Sequence, residues 1–309
     1  MIGVVADDIT GANDIGIMFA KAGVVTHVYA CGDFEPRTAF AENGPRPGAV
    51  ILDTNSRLDD AETAYAKVID ATNRLREAGA TLFINKTCSV FRGNIGAEFD
   101  AMLDALNREF AVVVLGFPKN GRTTVNGIHY VHGRKLEESE FRHDPVHPMT
   151  RSSLVDILQG QTRRKVGLTD YTAVEQGAQA LREHLIRMNG HCSYCIVDVP
   201  DQAALRTIAE AVRDDFILCG SSAIAEELAP LLDIPRETSS ALSLERRESC
   251  GILCTAGSLM PQTAAQIAHM RDLGTPVFEL DSRQLLEEAG RRAAIERLVG
   301  EVSACLLRG

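Results

Sequence analysis

The chain has 309 residues, of which 45% are hydrophobic and 24% charged; these are near the averages of folded soluble proteins and exclude wholesale disorder. Its net charge of −10 reflects 42 acidic against 32 basic residues, and the densest basic run is only Arg163-Arg164-Lys165, so no nucleic-acid partner is expected. No stretch approaches the ~20 apolar residues of a membrane span, and the N-terminus does not look like a signal peptide, so a cytoplasmic protein of about two domains is expected, without a membrane partner.

Met1–Ala6 is an apolar run that predicts a buried strand. Asp7-Asp8-Ile9-Thr10-Gly11 interrupts it as a loop. From Ala12 the positions Ile15, Met18, Phe19 and Ala22 keep a helical spacing, and Gly23 supplies a stop. Val24–Tyr29 is the next strand, so the opening β-loop-α-β predicts a parallel pair. The same grammar continues with strand Ala49–Asp53, helix Ala61–Ala78, strand Thr81–Asn85, helix Ala97–Arg108 and the all-apolar strand Ala111–Leu115. Pro118–His132, punctuated by Gly121 and Gly127, predicts a hairpin excursion. Glu137–Pro148 reads as a polar surface loop. Alternation resumes with helix Ser153–Gly160, strand Lys165–Leu168, helix Val174–Asn189, strand Cys195–Val199, helix Gln202–Arg213, strand Phe216–Gly220 and helix Ala223–Leu232.

The fold class is therefore α/β, an open and mostly parallel sheet with a hairpin excursion over residues 1–234. Residues 235–249, rich in Ser, Arg and Glu, form the expected linker. A second β-loop-α unit starts at 250: strand Gly251–Thr255, loop, helix Gln262–Leu273, strand Val277–Leu280 and helix Gln284–Leu298. Residues 250–309 thus look like the opening part of a second α/β domain.

Eight cysteines in a chain of this length, with no secretion signal, do not suggest a disulfide frame. Cys192 and Cys195 form one CxxC without a second ligand pair, so ordinary thiols leading into a strand are expected. His129, His132, His143 and His147 lie within nineteen residues, but their spacing does not gather them on one face, and no metal site is expected.

Several chemistry-bearing segments follow strands. Asp7-Asp8-x-Thr10-Gly11-Ala12-Asn13 stands where ligands bind in open α/β sheets, before a helix start. Its two carboxylates could accept substrate hydroxyls, hold a metal or act as a general base; capping alone needs only one of them. Asp53-Thr54-Asn55-Ser56-Arg57 offers an arginine fork for a carboxylate or phosphate. Asn85–Gly96 brings Lys86 and Arg92 as cations, Ser89 and Asn94 as donors, and Gly93 and Gly96 for close backbone approach. Gly121–His129 is a glycine-flanked hairpin with Arg122 and His129. Acids at one strand end and cations at two suit a small polyhydroxy acid. Thr255-Ala256-Gly257-Ser258 before a helix could cradle phosphate. No Walker A loop, GxGxxG, GxSxG or HExxH occurs.

The ordered set ADDITGANDIGIMFAKAG, DTNSR, NKTCSVFRGNIGAE, GRTTVNGIHYVHG and AGSLMPQTAAQI resembles the four-carbon acid sugar kinase family, most clearly from Met1 to about Leu232. The resemblance implies an N-terminal sugar-acid domain, a C-terminal nucleotide domain, and ATP-dependent phosphorylation of the terminal hydroxyl of threonate, erythronate or a 3-oxo form, with Mg²⁺. It implies a substrate site at Asp7, Asp8, Asn13, Arg57, Lys86, Ser89, Arg92, Gly93 and Asn94, joined by Arg122 from the hairpin. It places Gly257 and Ser258 in the first nucleotide loop. Arg57 or Arg92 is expected to clamp the substrate carboxylate and Lys86 to neutralise charge. Asp8, with Asp7 as alternate, is expected to orient or deprotonate the acceptor hydroxyl. Many relatives carry Asp-Ser-Thr where this chain has Cys88-Ser89-Val90. The family's later glycine-rich nucleotide loops would lie beyond Gly309, so the alternative to a kinase is a sugar-acid-binding module that does not catalyse. The oligomeric state is open, a homo-oligomer included.

Overall fold

The computed structural model describes residues 1–36, 40, 46–234, 236, 251–258 and 260–307. The chain divides into two units, Met1–Ser239 and Ser240–Gly309. Apart from Arg236, the expected linker 235–249 lies outside the described residues.

The first unit runs β1 (Ile2–Ala6), α1 (Ile9–Lys21), β2 (Thr26–Ala30), β3 (Ala49–Asp53), α2 (Ala61–Glu77), β4 (Leu82–Lys86), α3 (Ile95–Leu106) and β5 (Ala111–Val114). A small antiparallel sheet follows: β6 (Arg122–Val125), β7 (Ile128–Val131) and β8 (Arg134–Lys135). Then come α4 (Leu154–Gln159), β9 (Val166–Thr169), α5 (Tyr171–Val174), α6 (Ala178–Met188), β10 (Tyr194–Val197), α7 (Gln202–Val212), β11 (Ile217–Gly220) and α8 (Ala223–Leu228). Eight strands form one parallel sheet in the order β2-β3-β1-β4-β11-β5-β10-β9. The α/β reading holds, and the hairpin stands where the glycines of Pro118–His132 put it.

The two faces of the sheet follow from the period-2 alternation of strand side chains. On β1, Ile2, Val4 and Ala6 join a core shared with α1, α6, α7 and α8. Gly3 points the other way; a Cβ there would lie 3.2 Å from that of Leu75 on α2. Helices α2 and α3 pack together on that second face. Burial on both faces is why these strands read as continuous apolar runs. Helix starts are fixed by acids: Asp8 accepts from Gly11 N at 2.7 Å, Asp60 from Thr63 N at 2.9 Å and Asp201 from Ala204 N at 2.8 Å, each satisfying a donor the helix leaves orphaned.

Four expectations are corrected. β1 and β2 are parallel but not neighbours, because β3 inserts between them; local sequence carries no information about that insertion. The helix expected over Val174–Asn189 is split into α5 and α6, because Gly177 takes a positive φ of 92°. Glu137–Pro148 does not run free over the surface: Phe141 is buried and the loop folds back onto the site described below. In the second unit the described residues hold α9 (Pro261–Asp272) and α10 (Glu288–Leu306), while Gly251–Thr255 and Val277–Leu280 are not strands. A short apolar run becomes a strand only beside a partner strand, and none is present among the described residues of that unit. Among the described residues no helix is long and apolar enough to cross a membrane.

Candidate active site

The strand order changes direction at β1 and β4. β1 continues into α1 on one face of the sheet, β4 into α3 on the other, so a crevice opens between their carboxyl ends, the usual ligand position in open α/β sheets. Ala6 sits in register with Lys86, and Asp7 N donates to the Lys86 carbonyl at 3.3 Å. Asp7, Asp8 and Lys86 therefore meet at that opening.

The loop after β3 is laced to the same place. Thr54 N donates to Ala6 O at 2.9 Å, Ser56 N to Asp7 O at 3.0 Å and Arg57 N to Asp7 O at 3.2 Å. The Arg57 guanidinium then grips both acids. Nε and Nη2 donate to the two Asp7 oxygens at 2.7 Å each, and Nη1 donates to Asp8 Oδ2 at 2.5 Å. Three of the five N–H donors of Arg57, the expected substrate clamp, thus serve the chain's own carboxylates. Burial pushes the Asp7 carboxyl up, against the Arg57 fork and the Lys86 charge, which lower it. The Asp7 side chain is 1% exposed and that of Asp8 25%. Of the two, Asp8 is the carboxylate with an open edge.

Two glycines allow this closeness. A Cβ on Gly11 would lie 2.6 Å from Asp8 Oδ1 and 2.8 Å from Lys86 Nζ, so any side chain there would displace the ammonium. Gly93, at φ 107°, passes over Arg57; a Cβ would approach Arg57 Cγ to 3.1 Å. The glycines expected to admit a ligand admit protein instead, Gly96 included, where Gln161 O occupies the space.

A second layer of cations surrounds Cys88. Arg92 Nε donates to Cys88 Sγ at 3.3 Å, and Arg92 Nη1 pairs with Asp144 at 2.7 Å. The guanidinium carbons of Arg92 and Arg122 stand 5.3 and 5.8 Å from the centre of the Phe141 ring, within cation–π range. Arg122 differs from the others. Its Nε is buried without a hydrogen-bond partner, and burial lowers its pKa. Lys86 is 4% exposed; its charge acts on Asp7, and its Nζ donates to the Thr87 carbonyl at 3.1 Å.

Two histidines hold the surroundings. His129 is fully buried and burial pushes its pKa down to about 3, so it is neutral, and Nε2–H donates to the Ser89 carbonyl at 3.0 Å. That bond ties the β4–α3 loop to the hairpin. The hairpin turn is anchored by Asp198 beyond β10, which accepts from Asn126 N at 2.5 Å and Gly127 N at 2.9 Å. His147 Nε2 donates to the Arg57 carbonyl at 2.9 Å. Among the described residues no group of three or more His, Cys, Asp and Glu could hold a metal ion.

Of the remaining expected residues, Asn13 is exposed on α1 and Ser89 is half-buried. Asn94 turns away: its Nδ2 donates to the carbonyls of Asp59 at 2.7 Å and Ser56 at 3.3 Å, so it braces the Arg57 loop. In the second unit Gly257 and Ser258 are exposed before α9; Ser258 Oγ accepts from Met260 N at 3.2 Å, and a Cβ on Gly257 would meet nothing within 4 Å. Sequence reasoning missed Phe141, Asp144, His147 (weighed only as a metal ligand) and Glu98. The first three are brought in by a fold-back that has no local signature. Glu98 sits in an ordinary position for a first-turn acid, and only its 1% exposure sets it apart.

Residues 2–228 match the model of the sugar-binding N-terminal domain. The chain belongs to the four-carbon acid sugar kinase family. The relatives of this kinase family include the 3-oxo-tetronate kinase of Actinobacillus succinogenes, 31% identical over 93% of this chain and 68% of that protein. They also include the D-erythronate kinase of Heliobacterium modesticaldum, 32% identical over 97% of this chain and 67% of that protein. The chain thus spans about two thirds of the length of these family members. A crystal structure of a Haemophilus influenzae protein superposes with a TM-score of 0.70 at 30% identity, covering 98% of this chain and 72% of the other. A Bordetella bronchiseptica protein crystallised with citrate as a domain-swapped dimer gives 0.63 at 29% identity, over 74% of this chain and 56% of the other.

Proposed function

We propose that this chain binds a four-carbon sugar acid, of the erythronate, threonate or 3-oxo-tetronate type, and presents its terminal hydroxyl for phosphorylation by ATP. The observation that carries the reading is the unpartnered Nε of Arg122. A buried guanidinium nitrogen without an acceptor is costly, and the planar donors of an arginine match a carboxylate. Arg122 therefore replaces Arg57 as the substrate clamp, with Arg92 beside it on the Phe141 ring. Lys86 adds the positive charge that opposes charge building up on the transferred group. Asp8 accepts the substrate hydroxyl on its exposed edge and orients it or takes its proton. Asp7 and Arg57 hold Asp8 in place.

The residues at Gly257 and Ser258 fit the phosphate end of a nucleotide, because an open glycine loop precedes the N-terminus of a twelve-residue helix, where backbone N–H groups favour anions. Bound ATP with Mg²⁺ would supply the phosphoryl group and its charge neutralisation. Soluble cytoplasmic residence and self-association belong to the same reading: the charge pattern suits the first, and the domain-swapped Bordetella relative supports the second.

Thermal-shift titration of the chain with four-carbon sugar acids, with the matching polyols that lack a carboxylate, and with Mg-ATP tests this. A sugar acid at about 100 Kd adds roughly 2.7 kcal/mol of stability, several degrees for a domain of this size, and the polyol is expected to add nothing. A shift with a sugar acid but none with Mg-ATP would favour the binding-module alternative. Equal shifts with acid and polyol would sink the carboxylate clamp. For turnover, Asp8→Asn is expected to lower kcat about 10²–10⁴-fold with sugar-acid affinity nearly unchanged; unchanged kcat would remove Asp8 from the reaction.

A further inference from the structure

Glu98 is a buried acid that the proposed chemistry does not use. It lies in the first turn of α3 and is 1% exposed. Its Oε1 is 2.7 Å from Ser56 Oγ, Ser56 Oγ is 2.8 Å from Thr54 Oγ1, and Thr54 Oγ1 is 2.9 Å from the Ala6 carbonyl oxygen. Ser56 and Thr54 are buried as well.

The protons in this row can be counted from its far end. A carbonyl only accepts, so Thr54 must donate its single proton to Ala6 O. Thr54 then has none left for Ser56, and Ser56 must donate to Thr54. Ser56 in turn has none left for Glu98. All three short contacts are hydrogen bonds only if Glu98 itself carries a proton and donates it to Ser56. We propose that Glu98 is a positioning residue that stays protonated in the folded protein and, through Ser56 and Thr54, locks the Arg57 loop to the end of β1.

The row connects the two segments of the site. Ala6 immediately precedes Asp7, and Ser56 immediately precedes Arg57. The charged groups facing Glu98 agree with a neutral acid. They are Asp7 at the end of β1, and Arg57 and Asp59 on the β3–α2 loop, Asp59 being paired with Lys67 of α2 at 2.6 Å. From β4 an amide, Asn85, packs against it, its Nδ2 donating to the Glu98 backbone carbonyl at 3.3 Å. Burial and the two aspartates push the Glu98 pKa up to about 8, against the charge of Arg57. Ionisation would turn the Ser56 proton towards Glu98, leave the Ser56–Thr54 contact without one, and set a third carboxylate against Arg57.

The test compares wild type with Glu98→Gln and Glu98→Leu in the full chain. In the unfolded chain Glu98 ionises near its ordinary value, and in the folded protein only near pH 8. The wild type therefore loses stability as pH rises through that window. The side-chain amide of the Glu98→Gln variant would donate to Ser56 and has no proton to lose. Between pH about 5 and about 8 the folding equilibrium constant of the wild type is expected to fall roughly ten- to a thousandfold relative to Glu98→Gln, with Glu98→Leu less stable than Glu98→Gln at every pH. Parallel pH–stability curves for wild type and Glu98→Gln would overturn the proposal.

Infrared spectroscopy of the chain labelled with ¹³C-carboxyl glutamate gives a readout that needs no variant to fold: a protonated-acid carbonyl band at neutral pH is expected, and its absence refutes the protonated state. A third readout rests on the proposed function. D-Erythronate affinity should weaken severalfold above pH 8 in wild type and hold in Glu98→Gln; a wild-type affinity that does not change across that range overturns the link to the site. Failure of D-erythronate to bind either protein at any pH would count against that substrate, while the stability curves and the carbonyl band still decide Glu98.

Discussion

Arg57→Leu is expected to cost the folded protein about 3–5 kcal/mol, the range for stripping one partner from a buried ion pair. Asp7 is the reason. Its side chain is 1% exposed, and both its oxygens are served by Arg57 at 2.7 Å. Without the guanidinium, a carboxylate is left at a strand end with only the charge of Lys86 for compensation. The deficit should depend on pH. Once the Arg57 fork is gone, the folded-state pKa of Asp7 rises further above its unfolded value, so stability is lost as pH rises through that interval and recovered on acidification. Denaturant melts of Arg57→Leu at several pH values check this. A second variant separates the pair from the volume change: Asp7→Asn in the Arg57→Leu background should recover part of the loss. A single substitution costing under about 1 kcal/mol, flat with pH, would mean that Arg57 is not the counter-ion that keeps Asp7 in place.

The same arginine shows what the sequence exposes and what it hides. DTNSR after a strand places Arg57 at the carboxyl edge of an α/β sheet, and the loop after β3 stands there. What a linear pattern does not reveal is the partner. Asp7 and Asp8 are fifty residues away, and the insertion of β3 beside β1 brings the two loops together. A cation and two acids from different strand ends can each face a ligand or face one another, and only strand order decides. The glycines follow the same rule. Gly93 and Gly96 mark close approach correctly, but the approaching groups are Arg57 and Gln161.

Strand and helix positions are legible wherever a continuous apolar run or a 3.6-residue spacing coincides with an acid cap or a glycine stop, as at Ala49–Asp53 and Ala61–Glu77. Glu137–Pro148 is not, because its polar, proline-marked composition is what a solvent loop requires. Two features of that segment change its fate. Phe141 is a large apolar ring that finds cover under Arg92 and Arg122. Asp144 answers a half-buried Arg92. A single aromatic residue in a polar stretch has no periodicity, so its burial is decided by tertiary contacts alone. The second unit presents the opposite difficulty. Its apolar runs Gly251–Thr255 and Val277–Leu280 have the composition of strands but no neighbouring strand among the described residues, and a strand without a partner has no ladder to join.

Arg122→Met is expected to weaken sugar-acid binding about 10–100-fold, the loss of a charge-assisted contact of about 1.5–3 kcal/mol, while leaving the thermal midpoint of the free protein unchanged or raised. The two halves of that outcome come from one fact. Arg122 is held with a buried, unpartnered Nε, and burial together with the like charge of Arg92 outweighs the pull of Glu140 and Asp14, so in the free protein it is a liability that an apolar side chain of similar length removes. Residues kept at a cost in stability are the mark of a site built for a ligand. Arg92 should behave differently. Its pairing with Asp144 and Cys88 means that Arg92→Met leaves Asp144 without its counter-ion, so stability and binding fall together. Isothermal titration with D-erythronate, set beside melting curves of the same variants, tells the two arginines apart. Arg122→Lys keeps the charge but loses the fork and should recover only part of the affinity. If Arg122→Met instead melts lower and binds as well as wild type, the orphaned guanidinium serves the hairpin rather than the substrate, and the carboxylate must be sought at Lys86.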